Sequence, residues 1–155
     1  LHLTPTEGPM YGTVIALHNV LAWLVLAVGL AVVVQGATAS RTWGPAQTSW
    51  VRRFTLLVHL QFVAGLVLWF LSPTVTAARG SVGDTMKNAE LRRLVVEHPT
   101  LMILAVVAAT VTSVLVRKAP SSETKARQAL IGTIVSLALI AAVIPWQTLL
   151  GRWTA

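Results

Sequence analysis

The sequence predicts an all-α integral membrane protein: a four-helix bundle with a short amphipathic helix on its outer surface. Two observations carry this. Four apolar segments are each long enough to cross about 30 Å of hydrocarbon at the rise of an α-helix. Charged residues are only 11% of the chain and hydrophobic ones 55%, whereas a soluble domain carries about a quarter charged residues. Mean hydropathy is +0.72. Four spans and their loops consume the 155 residues, so 11–155 form one membrane domain with no separate extramembrane unit.

Residues 1–10 are expected to be an extracytoplasmic N-terminal extension. They lack the basic start and long apolar run of a signal peptide. The first span covers 11–35, with Leu21 to Val34 free of charge. It has no obvious small-residue cleavage site and is therefore read as retained. The second covers 54–72 and stops at Ser72-Pro73, because proline cannot donate the bond that would continue a helix. The third covers 99–117, opening on Pro99, a residue suited to a first helical turn. The fourth covers 129–150, kinked at Pro145. Between the second and third spans, Met86, Leu91, Leu94 and Val95 recur at roughly helical spacing among charges, which predicts one surface helix over 84–97.

The loops set the orientation, since lysine and arginine stay on the cytoplasmic side. Arg41, Arg52 and Arg53 mark the first loop and Arg117, Lys118, Lys125 and Arg127 the third. Both termini then face outward. Trp43, Trp50, Trp146 and Trp153 fall at span ends, where indoles favour the headgroup zone. The net charge of +7 resides in these short loops, which argues against a nucleic-acid partner and for a lipid bilayer. The chain has no cysteine, which removes disulfides, thiolate metal sites and covalent c-type haem attachment. It also shows no nucleophile elbow, paired-carboxylate site or phosphate loop. Acidic relay residues and repeat symmetry, the marks of a transporter, are missing from the spans.

His18, His59 and His98 belong to spans, and an ionisable residue inside a bilayer marks a functional site by default. The competing reading for each is a simple interhelical hydrogen bond. Helical rise puts His18 about 10 Å and His98 about 14 Å above the midplane, and His59 about 5 Å below it. His18 and His98 therefore share a depth that His59 does not. Two imidazoles from different helices at one depth are what a low-spin haem iron needs axially. Zinc or copper would want further ligands that the spans lack. Haem b, with His18 and His98 as its metal ligands, is the expected cofactor; a chlorophyll-type pigment, whose magnesium takes a single histidine, is the alternative.

Arg92, Arg93 and Arg152 fall at the same outer surface, as propionate partners or as ordinary interface anchors. Gly29 and Gly65 permit close approach of a helix or a flat macrocycle. Trp23, Phe62, Trp69 and Phe70 offer ring-pocket walls or plain packing. Asn19 and Gln61 offer second-shell bonds to an imidazole.

Three local patterns then stand out together: Leu17-His18-Asn19-Val20-Leu21-Ala22-Trp23-Leu24, His59-Leu60-Gln61-Phe62-Val63-Ala64-Gly65-Leu66 and Glu97-His98-Pro99-Thr100-Leu101-Met102. With Ile144-Pro145-Trp146, from Met10 onward, the chain resembles small bacterial four-helix inner-membrane proteins described as cytochrome b-like. The resemblance implies haem, electron transfer with a quinone or a partner redox protein, and assembly as a subunit of a larger membrane redox complex in the bacterial inner membrane. Ala22 departs from it, standing where such proteins often carry a basic residue before the tryptophan. A haem in the outer half would exchange electrons from the outer side. The rival expectation is a non-catalytic structural or pigment-holding subunit of a larger membrane complex.

Overall fold

The computed structural model describes residues 9–39, 41–144 and 146. Helix α1 spans Pro9–Thr38, α2 Pro45–Leu71, α6 His98–Lys118 and α7 Ser122–Val143. Between α2 and α6 lie α3 (Pro73–Gly80), α4 (Val82–Lys87), α5 (Ala89–Arg92) and a π-helical turn, Arg93–Glu97. Four stretches of helix are long and apolar enough to cross a membrane, the third running through the π turn from Ala89 to Lys118. Most of each apolar stretch stays on the surface of the bundle. Leu17, Leu24, Leu56, Val63, Ile103, Val107, Ile131 and Ile134 all point outward. Helices apolar all round are what lipid solvates, so the chain is a multi-pass membrane protein.

The long helices form a ring in which α1 and α6 each lie between α2 and α7. Helices α1 and α6 are therefore diagonal partners. Phe54, Val25, Val32, Val58, Ala105, Ala109, Ala129 and Thr133 fill the middle. Glycine sets one close approach: a Cβ on Gly29 would meet Leu137 Cδ2 at 2.8 Å and Phe54 Cε2 at 2.9 Å.

Several helix ends differ from the sequence expectation. Helix α2 begins at Pro45 rather than Phe54, because Gln47 Oε1 reaches back to the Gly44 amide (3.0 Å) and Pro45 opens the first turn. Helix α7 begins at Ser122 rather than Ala129, because Ser121 Oγ accepts the Thr124 amide at 3.2 Å. Both starts carry charge outside the apolar run, so hydropathy alone misses them. Trp43, between α1 and α2, is 5% exposed and packs against the main core; its Nε1–H donates to Thr48 Oγ1 at 3.0 Å. The end of the fourth predicted span, with Pro145, Arg152 and Trp153, lies outside the described residues, as does most of the 1–10 extension.

The single surface helix expected over 84–97 is instead four short helical pieces from Pro73 to Glu97. Breaks fall at capping residues: Ser72 Oγ accepts the Val75 amide, and Asn88 Oδ1 those of Glu90 and Leu91. Thr85 Oγ1 donates to Ala78 O at 2.6 Å, folding α4 back on α3. Val75, Ala78 and Val95 make a small core of their own beneath Trp69 and Leu91.

Candidate functional site

Helix α6 is prepared before it starts. Proline at 99 has no N–H and would leave the Val95 carbonyl, four residues back, unbonded. Trp69 Nε1–H, from the end of α2, donates to that carbonyl at 3.2 Å. The wide π turn just before it bonds the His98 amide to Arg93 O, and such turns re-aim the residues that follow. They bring His98 to the inside of the bundle.

There His98 meets His18. The ring centres are 6.4 Å apart, with planes tilted by 54°, although the residues come from diagonal helices. His98 Nδ1 lies 3.3 Å from Val143 O. A carbonyl can only accept, so Nδ1 carries the proton and, in the neutral ring, Nε2 keeps its lone pair. This bond belongs to a wider capping of α7. The carbonyls of its last turn have no helical partner, and three side chains take them: Trp146 Nε1 on Ala141 O (3.1 Å), Arg93 Nη2 on Ala142 O (3.1 Å) and His98 on Val143 O.

On the other side of the pair, Gln61 of α2 places its amide nitrogen 3.2 Å from His18 Nε2. Gln61 is 6% exposed. His18 Nδ1, Gln61 Oε1 and Trp23 Nε1 are buried and find no hydrogen-bond partner among the described residues. Buried polar atoms in native proteins are normally paired, and two of these, His18 Nδ1 and Gln61 Oε1, belong to side chains that touch each other. Gly65 forms the wall behind His18: a Cβ there would lie 3.0 Å from His18 Cε1 and 3.6 Å from Nδ1. All four long helices thus contribute, α1 and α6 the imidazoles, α2 and α7 the groups that hold them.

Among the described residues no group of three or more His, Cys, Asp or Glu side chains gathers to hold a metal ion. Two imidazoles suffice only for a metal that brings its other ligands, as the iron of a tetrapyrrole does. With metal–imidazole bonds of about 2.0–2.1 Å and about 1.1 Å from ring nitrogen to ring centre, two axial imidazoles have centres about 6.3 Å apart. The observed 6.4 Å is of that size, and His18 Nδ1, the ring nitrogen without a partner, lies on the Gly65 side.

Comparison with protein-family models, curated proteins and solved structures found no match to this chain.

The remaining residues singled out from the sequence are distributed differently. Arg93 reaches the same end of α7 as His98. Arg92 is turned to its own segment, its Nε paired with Glu97 Oε1 at 2.8 Å and its Nη1 donating to Met86 O at 3.0 Å. Arg152 lies outside the described residues. His59 stands apart from the pair, with Nδ1 2.8 Å from its own-helix Thr55 O and Nε2 3.4 Å from Thr110 Oγ1 on α6. Trp69 and Phe70 pack edge to face at 5.2 Å, and the Arg79 guanidinium lies 4.4 Å above the Trp69 ring; Trp23 and Phe62 pack against the main core. Sequence reasoning missed the roles of Val143 O and Trp69. The signal for Trp69 was Pro99 itself, which obliges some donor to find Val95 O.

Proposed function

We propose that this chain is a b-type cytochrome-like electron-transfer subunit of the bacterial inner membrane. His18 and His98 would hold a haem b, which would supply one-electron exchange with a quinone or a partner redox protein. The observation that carries the reading is the pair itself, two half-buried imidazoles from diagonal helices with ring centres 6.4 Å apart. Haem supplies one-electron chemistry at a potential set by its axial ligands, hydrogen bonds and burial.

The protein's own part is to bind and orient. The bond from His98 Nδ1–H to Val143 O fixes the tautomer and the ring direction, as second-shell carbonyls do for metal-binding histidines. With its carbonyl oxygen turned to His18 Nε2, the Gln61 amide would accept the proton there and leave Nδ1 the lone pair. Gly65 leaves room for the Cε1–Nδ1 edge of the His18 ring against α2. Arg93, fixed at the end of α7, is the better placed guanidinium for a propionate, whereas Arg92 is committed to Glu97.

The test is the absorption spectrum of the purified protein and three variants. Reduced-minus-oxidised bands of six-coordinate haem are expected for the unsubstituted chain and for His59→Ala, and are expected to vanish in His18→Ala and in His98→Ala. Chlorin bands would assign the chain to the pigment-holding class. No pigment from any preparation, or a normal haem spectrum without His98, would overturn the assignment.

A further inference from the structure

The end of the bundle at which α2 starts and α6 finishes is basic. Arg52, Arg53, Arg117, Lys118 and Arg127 lie there, and among the described residues of that end Glu123 is the one acid. A groove of about 350 Å³ opens between α2 and α6, with Arg52 on one bank, Ser113 and Arg117 on the other, and Leu56 and Val114 as apolar walls. At its deep end His59 Nε2 and Thr110 Oγ1 are bonded to each other at 3.4 Å. What the groove can hold is therefore decided at its mouth.

The mouth presents donors. Arg53 is engaged elsewhere, its guanidinium 5.2 Å from the centre of the Trp50 ring. Arg52 makes no hydrogen bond or ion pair among the described residues. Arg117 commits only Nε, to Ser113 O at 3.3 Å, which leaves both terminal nitrogens of a guanidinium free. Ser113 is 9% exposed. A helical serine ordinarily gives its proton to the carbonyl four residues back, here that of Ala109. That carbonyl has two lone pairs, and it already faces the helix amide of Ser113 and the Thr55 hydroxyl, at 3.2 Å. The Ser113 hydroxyl accordingly has no partner among the described residues, and it lines the groove between the two arginines.

Two guanidiniums and a hydroxyl, donors all, call for a negative group with several acceptor oxygens, which a phosphodiester is. Toward the bilayer interior the banks turn apolar. Leu56, Leu60 and Val63 recur at helical spacing along α2, and Val114, Val111 and Val107 along α6, nearly all of them exposed. The ligand must then continue as hydrocarbon. We infer that the groove between α2 and α6 holds an anionic glycerophospholipid, its phosphate between Arg52 and Arg117 with Ser113 Oγ–H donating to it, and an acyl chain along Leu56 and Val114. Basic clefts between membrane helices near an interface are where such heads bind. A zwitterionic head would bring a cation to the same arginines, so a head of net negative charge fits better. The larger groove between α6 and α7 carries Glu123 beside Arg127, and the two charges offset each other there. A lipid held this way joins the start of α2 to the end of α6, and its binding does not depend on haem.

The test uses the full chain, delipidated in detergent, and native mass spectrometry with phosphatidylglycerol and phosphatidylcholine of identical acyl chains offered in equal amounts. The unsubstituted chain is expected to retain phosphatidylglycerol about fivefold over phosphatidylcholine, the worth of one arginine at an anionic headgroup. Arg52→Gln combined with Arg117→Gln is expected to bring that ratio close to one, whereas Arg127→Gln leaves it unchanged. Equal retention of the two lipids by the unsubstituted chain overturns the inference, and that comparison needs no variant to fold. A preference that survives the double substitution, or is lost equally in Arg127→Gln, also overturns it, because the preference would then belong to the whole basic end and not to the groove. Glycerophosphoglycerol, the same head without its chains, is the competitor that separates a lipid from a free phosphate. At the concentration of the lipid it is expected to displace none, and full displacement would show that the apolar walls take no part and would sink the lipid assignment.

Discussion

Replacing Gly65 by alanine adds one methyl group, and the geometry says where it must go. The new Cβ would sit 3.0 Å from His18 Cε1, whereas carbon atoms in contact are comfortable at about 3.5–4.0 Å. The imidazole must therefore give by a few tenths of an ångström. It is not a loose side chain, since Gln61 holds its Nε2 edge and its Nδ1 edge is buried. Metal–ligand distances tolerate only about 0.2 Å, so on the haem reading proposed above such a displacement is expected to weaken or break ligation by His18 while the rest of the fold stays intact. The assay is the reduced and oxidised spectrum of Gly65→Ala, with carbon monoxide added to report an open axial position. Loss of the six-coordinate bands and a new carbon monoxide adduct are expected. Gly80→Ala, whose Cβ meets nothing within 4 Å, serves as the control and should match the unsubstituted protein. An unchanged spectrum in Gly65→Ala, with no carbon monoxide binding, would refute the idea that Gly65 positions a haem ligand.

Two further perturbations test the frame around the site. Trp69→Phe keeps the ring and removes the N–H that satisfies Val95 O; an orphaned buried carbonyl costs about 1–3 kcal/mol, so the variant should unfold at lower denaturant in detergent and hold haem less tightly, and identical unfolding curves would show that Pro99 needs no such partner. Orientation is accessible because the chain has no cysteine of its own: exposed Thr42→Cys and Lys118→Cys should resist an impermeant thiol reagent in intact cells while Lys87→Cys reacts, and the opposite pattern would invert the topology.

The apolar runs and the few charges between them determined the bundle, because a backbone in lipid must satisfy its own hydrogen bonds and a helix is the local way to do so. Helical rise also put His18 and His98 near one depth, a one-dimensional property that a sequence carries. Which helices face each other is not one-dimensional. Only the tertiary structure decided that α1 and α6 lie diagonally, so that their imidazoles meet across the interior instead of along one interface. Only it showed that Arg92 turns to Glu97 while Arg93 caps α7, since two adjacent arginines are indistinguishable until their helix has a direction. The stretch over 84–97 reads as one helix because its spacing is helical, while its break comes from Asn88 capping the Glu90 and Leu91 amides, bonds that compete with helix locally. Lipid-facing surfaces are set by each helix on its own; the site is set by bonds from one helix end to another, His98 to Val143 and Trp69 to Val95, and those exist only once the helices have packed.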